Sequence, residues 1–288
     1  MKKEAKIGYL FFLPTLFILT VLIVYPLIDV VWLSFRNVNW FTMKNEFIGI
    51  RNFVKILSDP IFWNATKNTF VWTIFSLIGQ LIIATVAALL LNTELGSKRI
   101  FRSIFLFPWV LPTVVTALAW RCMYHEFFGH ISYVLYYLGI TANRINLLSL
   151  TSTSLSATIV VNIWRGFPLM MVIILAALQG IPKEIKEAAK IDGASSFKTL
   201  IYIVLPMLRQ IIGMLVLFRT IWIFYFFDIV WLLTTGGPAS SSETLPLLIF
   251  LECFGSCEFG YAAALAIVML FILTVIVIFC QILLGDEE

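Results

Sequence analysis

Charge is what this sequence has least of. Only 12% of its 288 residues are Asp, Glu, Lys or Arg, against 61% apolar residues and a mean hydropathy of +0.98. A soluble domain carries about 25% charged residues. The chain therefore lacks the charge to cover a water-facing surface, and its solvent must be largely lipid. The net charge of +4 is small and spread out, which excludes the compact basic patch of a nucleic-acid binder. Metal-ligating side chains are also sparse. The four cysteines, Cys122, Cys253, Cys257 and Cys280, form no CxxC pair. The two histidines, His125 and His130, share one short loop with nothing to complete a metal site. Cys253 and Cys257 flank Gly255, where they either pair or stay free thiols; both readings stand. No GxxxxGK[ST] stretch cradles phosphate, and no His/Cys/Asp constellation has catalytic spacing. No catalytic residue, metal or cofactor is expected in this chain.

Long apolar runs are what it has in abundance. A helix of about 20 residues crosses about 30 Å of hydrocarbon. Lipid offers no water to free backbone groups, and these runs are continuous rather than alternating, so helices are expected and a β-barrel is not. Six runs stand out, at Ile7–Leu33, Ala65–Leu91, Phe101–Tyr124, Leu155–Leu178, Leu208–Leu233 and Gly260–Leu284. The fold class expected is an all-α polytopic membrane protein. The first run is longer than a signal-peptide core and no small-x-small site follows it, so it reads as an uncleaved anchor. Lysines and arginines set the orientation. Eleven lie on the side of Lys2, Lys3 and Lys6, the 98–102 connection and the 183–209 connection, against six on the side of Arg36, Lys44 and Arg144. The N-terminus and the acidic tail, Asp286-Glu287-Glu288, are thus expected in the cytoplasm. Trp32, Trp40, Trp63, Trp72 and Trp109 fall near run ends, as interfacial aromatics do. The chain divides into residues 1–64, with the first span and first outer loop, a five-helix core at 65–284, and a tail at 285–288.

The connection between the fourth and fifth runs has the marks of a short helix. Pro182 suits its first position, Glu184 its first turn, Lys190 its last turn and Gly193 the left-handed position beyond its end. Ile181, Ile185, Ala188 and Ala189 recur at helical spacing as one apolar stripe. Ser195 or Ser196 caps a second helix running into Leu205-Pro206. A helix of about ten residues is marginal alone. Its stripe therefore rests either on the chain's own bundle or on a partner.

The same segment reads Glu187-Ala188-Ala189, three residues ending in Asp192, Gly193, nine residues, Ile203, one residue, Leu205-Pro206. It resembles the EAA loop of binding-protein-dependent ABC importer permeases, in a chain whose six-run layout also resembles theirs. Leu233-Thr234-Thr235-Gly236-Gly237-Pro238, Trp164-Arg165-Gly166-Phe167-Pro168, and the phrases Phe47-Ile48-Gly49 and Asp59-Pro60-Ile61-Phe62-Trp63 are similar to the carbohydrate, maltose-type branch. The resemblance implies a type I permease fold in a bacterial cytoplasmic membrane. It implies that the loop at 180–207 couples to a dimeric cytoplasmic ATPase, which holds the ATP and Mg. Glu187, Ala188, Ala189, Asp192, Gly193, Leu205 and Pro206 would make that coupling. It further implies a second, related permease subunit, an extracytoplasmic solute-binding protein and a carbohydrate-like solute.

Charges inside an apolar run are functional candidates. Arg219 and Asp228 are nine residues apart in the fifth run, on opposite faces of a continuous helix. Asp228 shares its face with Phe224, Tyr225 and Trp231. A carboxylate among rings suits a polyol, accepting hydroxyl hydrogen bonds while the rings cover the sugar face. The alternative is an acid paired with an arginine of another helix. Permeases of the branch often carry Asn where Tyr225 stands, so that position departs from the pattern. Arg165 either lines the solute path or bonds to carbonyls freed by Pro168. An ion-coupled secondary transporter would instead show inverted repeats and paired acids at the midplane.

Overall fold

A computed structural model describes residues 12–93 and 98–285. Lys2, Lys3, Lys6 and the start of the first run, and the tail Asp286–Glu288, lie outside the described residues. In chain order, α1 is Phe12–Ser34, β1 Arg36–Asn39, β2 Lys44–Phe47, α2 Arg51–Ser58, α3 Pro60–Asn92, α4 Lys98–Val110 and α5 Thr113–Tyr124. There follow α6 at His130–Tyr137, α7 at Ser154–Gln179, α8 at Lys183–Ile191, α9 at Ser196–Tyr225, α10 at Asp228–Thr234, α11 at Leu245–Gly255 and α12 at Phe259–Gly285. Five of the described helices are long and apolar enough to cross a membrane, and α4 with α5, bent by 96° at their junction, meets the same test as a pair. The expected six crossings are present, but one is bent at a break, and the expected run Leu208–Leu233 is divided between two helices.

The first break has a local cause. Proline drives the residue before it out of the helical region and lacks an N–H to donate. Pro112 stands at the N-cap of α5 with ψ 141, and the chain turns there. The second break was not expected. The run Leu208–Leu233 is not one span: α9 starts earlier, at Ser196, and ends at Tyr225, and α10 starts afresh at Asp228. No proline or glycine marks this point. Trp72 Nε1 donates to the Ile223 carbonyl at 3.0 Å, and the Phe226 N–H closes on the same carbonyl. Trp72 is thus fully buried as a hydrogen-bond donor rather than lying in an interfacial belt.

The chain forms two compact units. One comprises Met1–Trp63 with Leu248–Ile272, the other Asn64–Leu247 with Leu273–Glu288. In the first, β1 and β2 pair antiparallel with Arg36 opposite Phe47 and Asn39 opposite Lys44. Asn52 Nδ2 donates to the carbonyls of Ser34 and Arg36, both at 2.9 Å, tying α2 to the end of α1. Gly260 lets the first turn of α12 lie on β1, because a Cβ there would run into the Arg36 carbonyl. In the second unit, Ala84, Ala87, Ala88 and Leu91 of α3 recur at helical spacing. They pack with Met170, Met171, Ile174 and Leu178 of α7 and with Val204, Leu208 and Leu215 of α9. Small side chains let helix backbones approach closely in lipid, where van der Waals packing replaces the hydrophobic drive.

Candidate functional sites

The second unit carries two candidate sites, one at the α8–α9 loop and one at the two helix breaks. At the loop, Pro182 is the N-cap of α8 rather than its first residue. Asp192 is the C-cap, and Gly193 follows at φ +79. The Ala194 N–H bonds the Ala189 carbonyl at 2.9 Å and the Gly193 N–H bonds that of Lys190 at 3.1 Å. These two bonds close a left-handed helix end of the kind glycine accommodates. Ser195 then caps α9, its Oγ accepting from the Lys198 N–H at 3.3 Å. A wider, π-type turn at Leu200–Val204 brings the chain to Pro206.

This geometry splits the expected apolar stripe. Ile181 and Ala189 are buried, Ile185 is half-buried and Ala188 points outward with Glu187 and Asp192. Ile181 joins the helix core together with Val204, so part of the stripe does rest on the chain's own bundle. Leu205 is half-buried and Pro206 exposed. The larger exposed surface comes from residues outside the stripe: Ile191, Phe197 and Tyr202 are 87%, 69% and 75% exposed. They lie on both sides of the turn at Gly193, outside the stripe that periodicity marks on α8.

The second site lies where the broken spans meet. Arg165 of α7 donates from Nη2 to Thr113 Oγ1, the first residue of α5, at 3.0 Å. Its guanidinium carbon sits 5.5 Å from the centre of the Phe226 ring, in the second break. Pro168 does not capture it; the arginine bridges the breaks instead. Asp228 opens α10, where the helix dipole favours a carboxylate. It is exposed and within electrostatic reach of Arg165. Tyr225 is also exposed and Trp231 half-buried, whereas Phe224 is 1% exposed and stacks edge-on with Phe70, which removes it from any open path. Irregular backbone at membrane depth is tolerated only where it is packed in protein or lines a wet cavity. None of the five candidates lines the open cavity of about 520 Å³ walled by Arg121, His125, Asn146, Thr234 and neighbours.

Sequence reasoning missed Gln80. It is fully buried in α3 and accepts from Arg219 Nη2 at 2.5 Å, while its own amide donates to the Asn162 carbonyl at 3.0 Å. An amide in the middle of an apolar run was the available signal. Among the described residues no group of three His, Cys, Asp or Glu is placed to hold a metal, and Cys253 and Cys257 are free thiols.

Residues 80–284 match the family model described as the binding-protein-dependent transport system inner membrane component. The chain is 34% identical to a trehalose/maltose transport system permease protein of Thermococcus litoralis, over 92% of this chain and 89% of that one. It is 32% identical to a multiple sugar-binding transport system permease protein of Streptococcus mutans, over 97% and 95%. A sulfoquinovosyl glycerol transport system permease protein of Agrobacterium fabrum is 33% identical over 92% and 86%. In fold, the chain is similar to a chain of a bacterial ABC transporter involved in the import of the acidic polysaccharide alginate. The TM-score is 0.85 at 23% identity, covering 99% of this chain and 97% of that one.

Proposed function

The chain belongs to the binding-protein-dependent transport system inner membrane components, and from that premise we propose that it is the membrane-spanning subunit of an importer for a sugar or sugar-like solute. The observation that carries the coupling part of this reading is the exposed trio Ile191, Phe197 and Tyr202 around Glu187 and Gly193. Burying one large apolar side chain is worth about 1.5–3 kcal/mol. A turn that displays three of them beside charged Glu187, Lys190 and Asp192 is built to be covered. Its occupant in this reading is a dimeric ATPase, which supplies the energy, as this sequence holds no phosphate loop of its own. A second, related permease and a solute-binding protein complete the assembly. The names of the relatives support a sugar as cargo.

Transport would run past the two helix breaks. There Arg165 and Asp228 offer a donor and an acceptor, and Tyr225, Phe226 and Trp231 offer rings, the combination a polyol uses. Purified with its partner subunits, the complex is expected to hydrolyse ATP faster when a sugar-loaded binding protein is added than when an amino-acid-loaded one is. Equal stimulation by both would remove the sugar reading while leaving the coupling reading intact.

A narrower expectation concerns Asp228. It is exposed and is the first residue of a helix, with no side-chain capping bond, so Asp228→Asn keeps the shape and loses the charge. Solute-dependent transport should fall severalfold with normal amounts of assembled complex. Loss of the complex itself would instead make Asp228 a structural partner of Arg165.

A further inference from the structure

The segment between α1 and α3 exposes more apolar surface than a water-facing loop tolerates. At the tip of the β1–β2 hairpin, Trp40, Phe41 and Met43 are 67%, 73% and 79% exposed. From the N-cap of α2 onward, Ile50, Val54 and Leu57 recur at i, i+4 and i+7 and are also exposed, while Asn52 and Ile56 on the other face are buried. This is the pattern of an amphipathic helix with its apolar face outward. Neither feature is slack. Asn39 Nδ2 donates to Glu258 Oε1 at 2.7 Å, and its Oδ1 accepts from the Thr42 N–H at 2.9 Å. The Trp40 N–H bonds the Cys257 carbonyl at 3.3 Å, so the turn is held at its base on the β1 side.

We propose that the Trp40–Met43 tip and the Ile50–Val54–Leu57 stripe form a lipid-binding surface. It sits in the headgroup region of the leaflet next to them and prefers anionic headgroups. Chain continuity carries the choice of lipid over protein. A single residue, Phe35, separates α1 from β1, and a single residue, Asp59, separates α2 from the span helix that starts at Pro60. Both ends of the segment therefore start where spans leave the hydrocarbon. Charge points the same way. From Arg36 to Ser58 there are four cations, Arg36, Lys44, Arg51 and Lys55, against one acid, Glu46. Lys44 adjoins the apolar tip and Arg51 follows a stripe residue, the placement that lets basic side chains reach phosphates while their neighbours stay in acyl chain; Lys55 instead lies over the Tyr261 ring. A protein interface core would be depleted in lysine.

The test uses the full chain with its partner subunits, reconstituted in vesicles. Cys122, Cys253, Cys257 and Cys280 are replaced by serine, and a nitroxide is placed at Met43→Cys or Val54→Cys. At both positions the label should collide with oxygen, which partitions into lipid, and lose collisions with a water-soluble nickel chelate. Free access to the chelate at either position would overturn the proposal. So would protection from both reagents, which would assign the surface to a protein partner. Adding phosphatidylglycerol to phosphatidylcholine vesicles should shift both labels deeper, and Lys44→Gln with Arg51→Gln should abolish that shift. Equal depth in the two lipids would remove the anionic preference.

Discussion

Gly193→Val is expected to abolish solute-stimulated ATP hydrolysis while leaving the permease folded in the membrane. The effect comes from backbone geometry alone. Gly193 holds φ +79, and a Cβ built there meets nothing within 4 Å. No clash is created, so the substitution acts only through strain. A β-branched residue in the left-handed region costs about 1–2 kcal/mol, well below a total stability of about 5–15 kcal/mol. The chain can therefore keep its spans and relax the strain at the turn. That relaxation breaks the bonds from Gly193 and Ala194 back into α8, and it changes the angle between α8 and α9. Ile191 lies on one side of the turn and Phe197 and Tyr202 on the other, so their relative placement changes with that angle. ATPase subunits should then wash off more readily. Gly193→Asn is the control, because asparagine enters the left-handed region at lower cost; it should keep most of the activity. Full co-purification and full stimulated hydrolysis in Gly193→Val would take this loop out of the coupling path. Equal failure of Val and Asn would mean that the side chain, not the turn, is what matters.

The features just used were legible in the sequence because they are local. A cap needs only Ser195 and the N–H three residues on, and a left-handed turn needs only a glycine after the last helical residue. The spans were legible for a related reason: lipid admits helices and leaves few alternatives for a long apolar run. What was not legible depends on other parts of the chain. The interruption at Phe226–Phe227 carries no local signal and is satisfied by Trp72 from α3. The hairpin strands, Arg-Asn-Val-Asn and Lys-Asn-Glu-Phe, hold few of the residues that favour strands. They exist because Gly260 and Glu258, more than two hundred residues later, receive β1. The same limit applied to Arg219. Helical periodicity placed it away from Asp228, but nothing along α9 could name Gln80 as its partner.

That partnership sets the second expectation, a large loss of stability in Gly166→Ala. Arg219 is 5% exposed and Gln80 0%. The guanidinium donates to the Gln80 carbonyl, and the Gln80 amide donates to the Asn162 carbonyl, joining α9, α3 and α7 at one point. A Cβ on Gly166 would fall on the Gln80 amide nitrogen and against Arg219 Nη2. Both are ends of flexible side chains, so the methyl group can be fitted in. It is fitted by moving apart the two groups that solvate each other, and the bond between them is what is lost. Removing the partner of a buried charge costs about 3–5 kcal/mol, because the charge stays behind without compensation. Gln80→Leu should cost a similar amount by the same route, and Gly166→Ala combined with Gln80→Leu should cost little more than either alone. Removing the charge together with its acceptor is different: replacing both partners with apolar groups of similar shape is often close to neutral. The double variant Gln80→Leu with Arg219→Met should therefore melt closer to the original protein than Gln80→Leu does, as measured by thermal loss of monodisperse complex in detergent. A Gly166→Ala protein with an unchanged melting temperature, or a double variant that falls by the sum of its parts, would show that α3, α7 and α9 are held together by packing and not by this bonded charge.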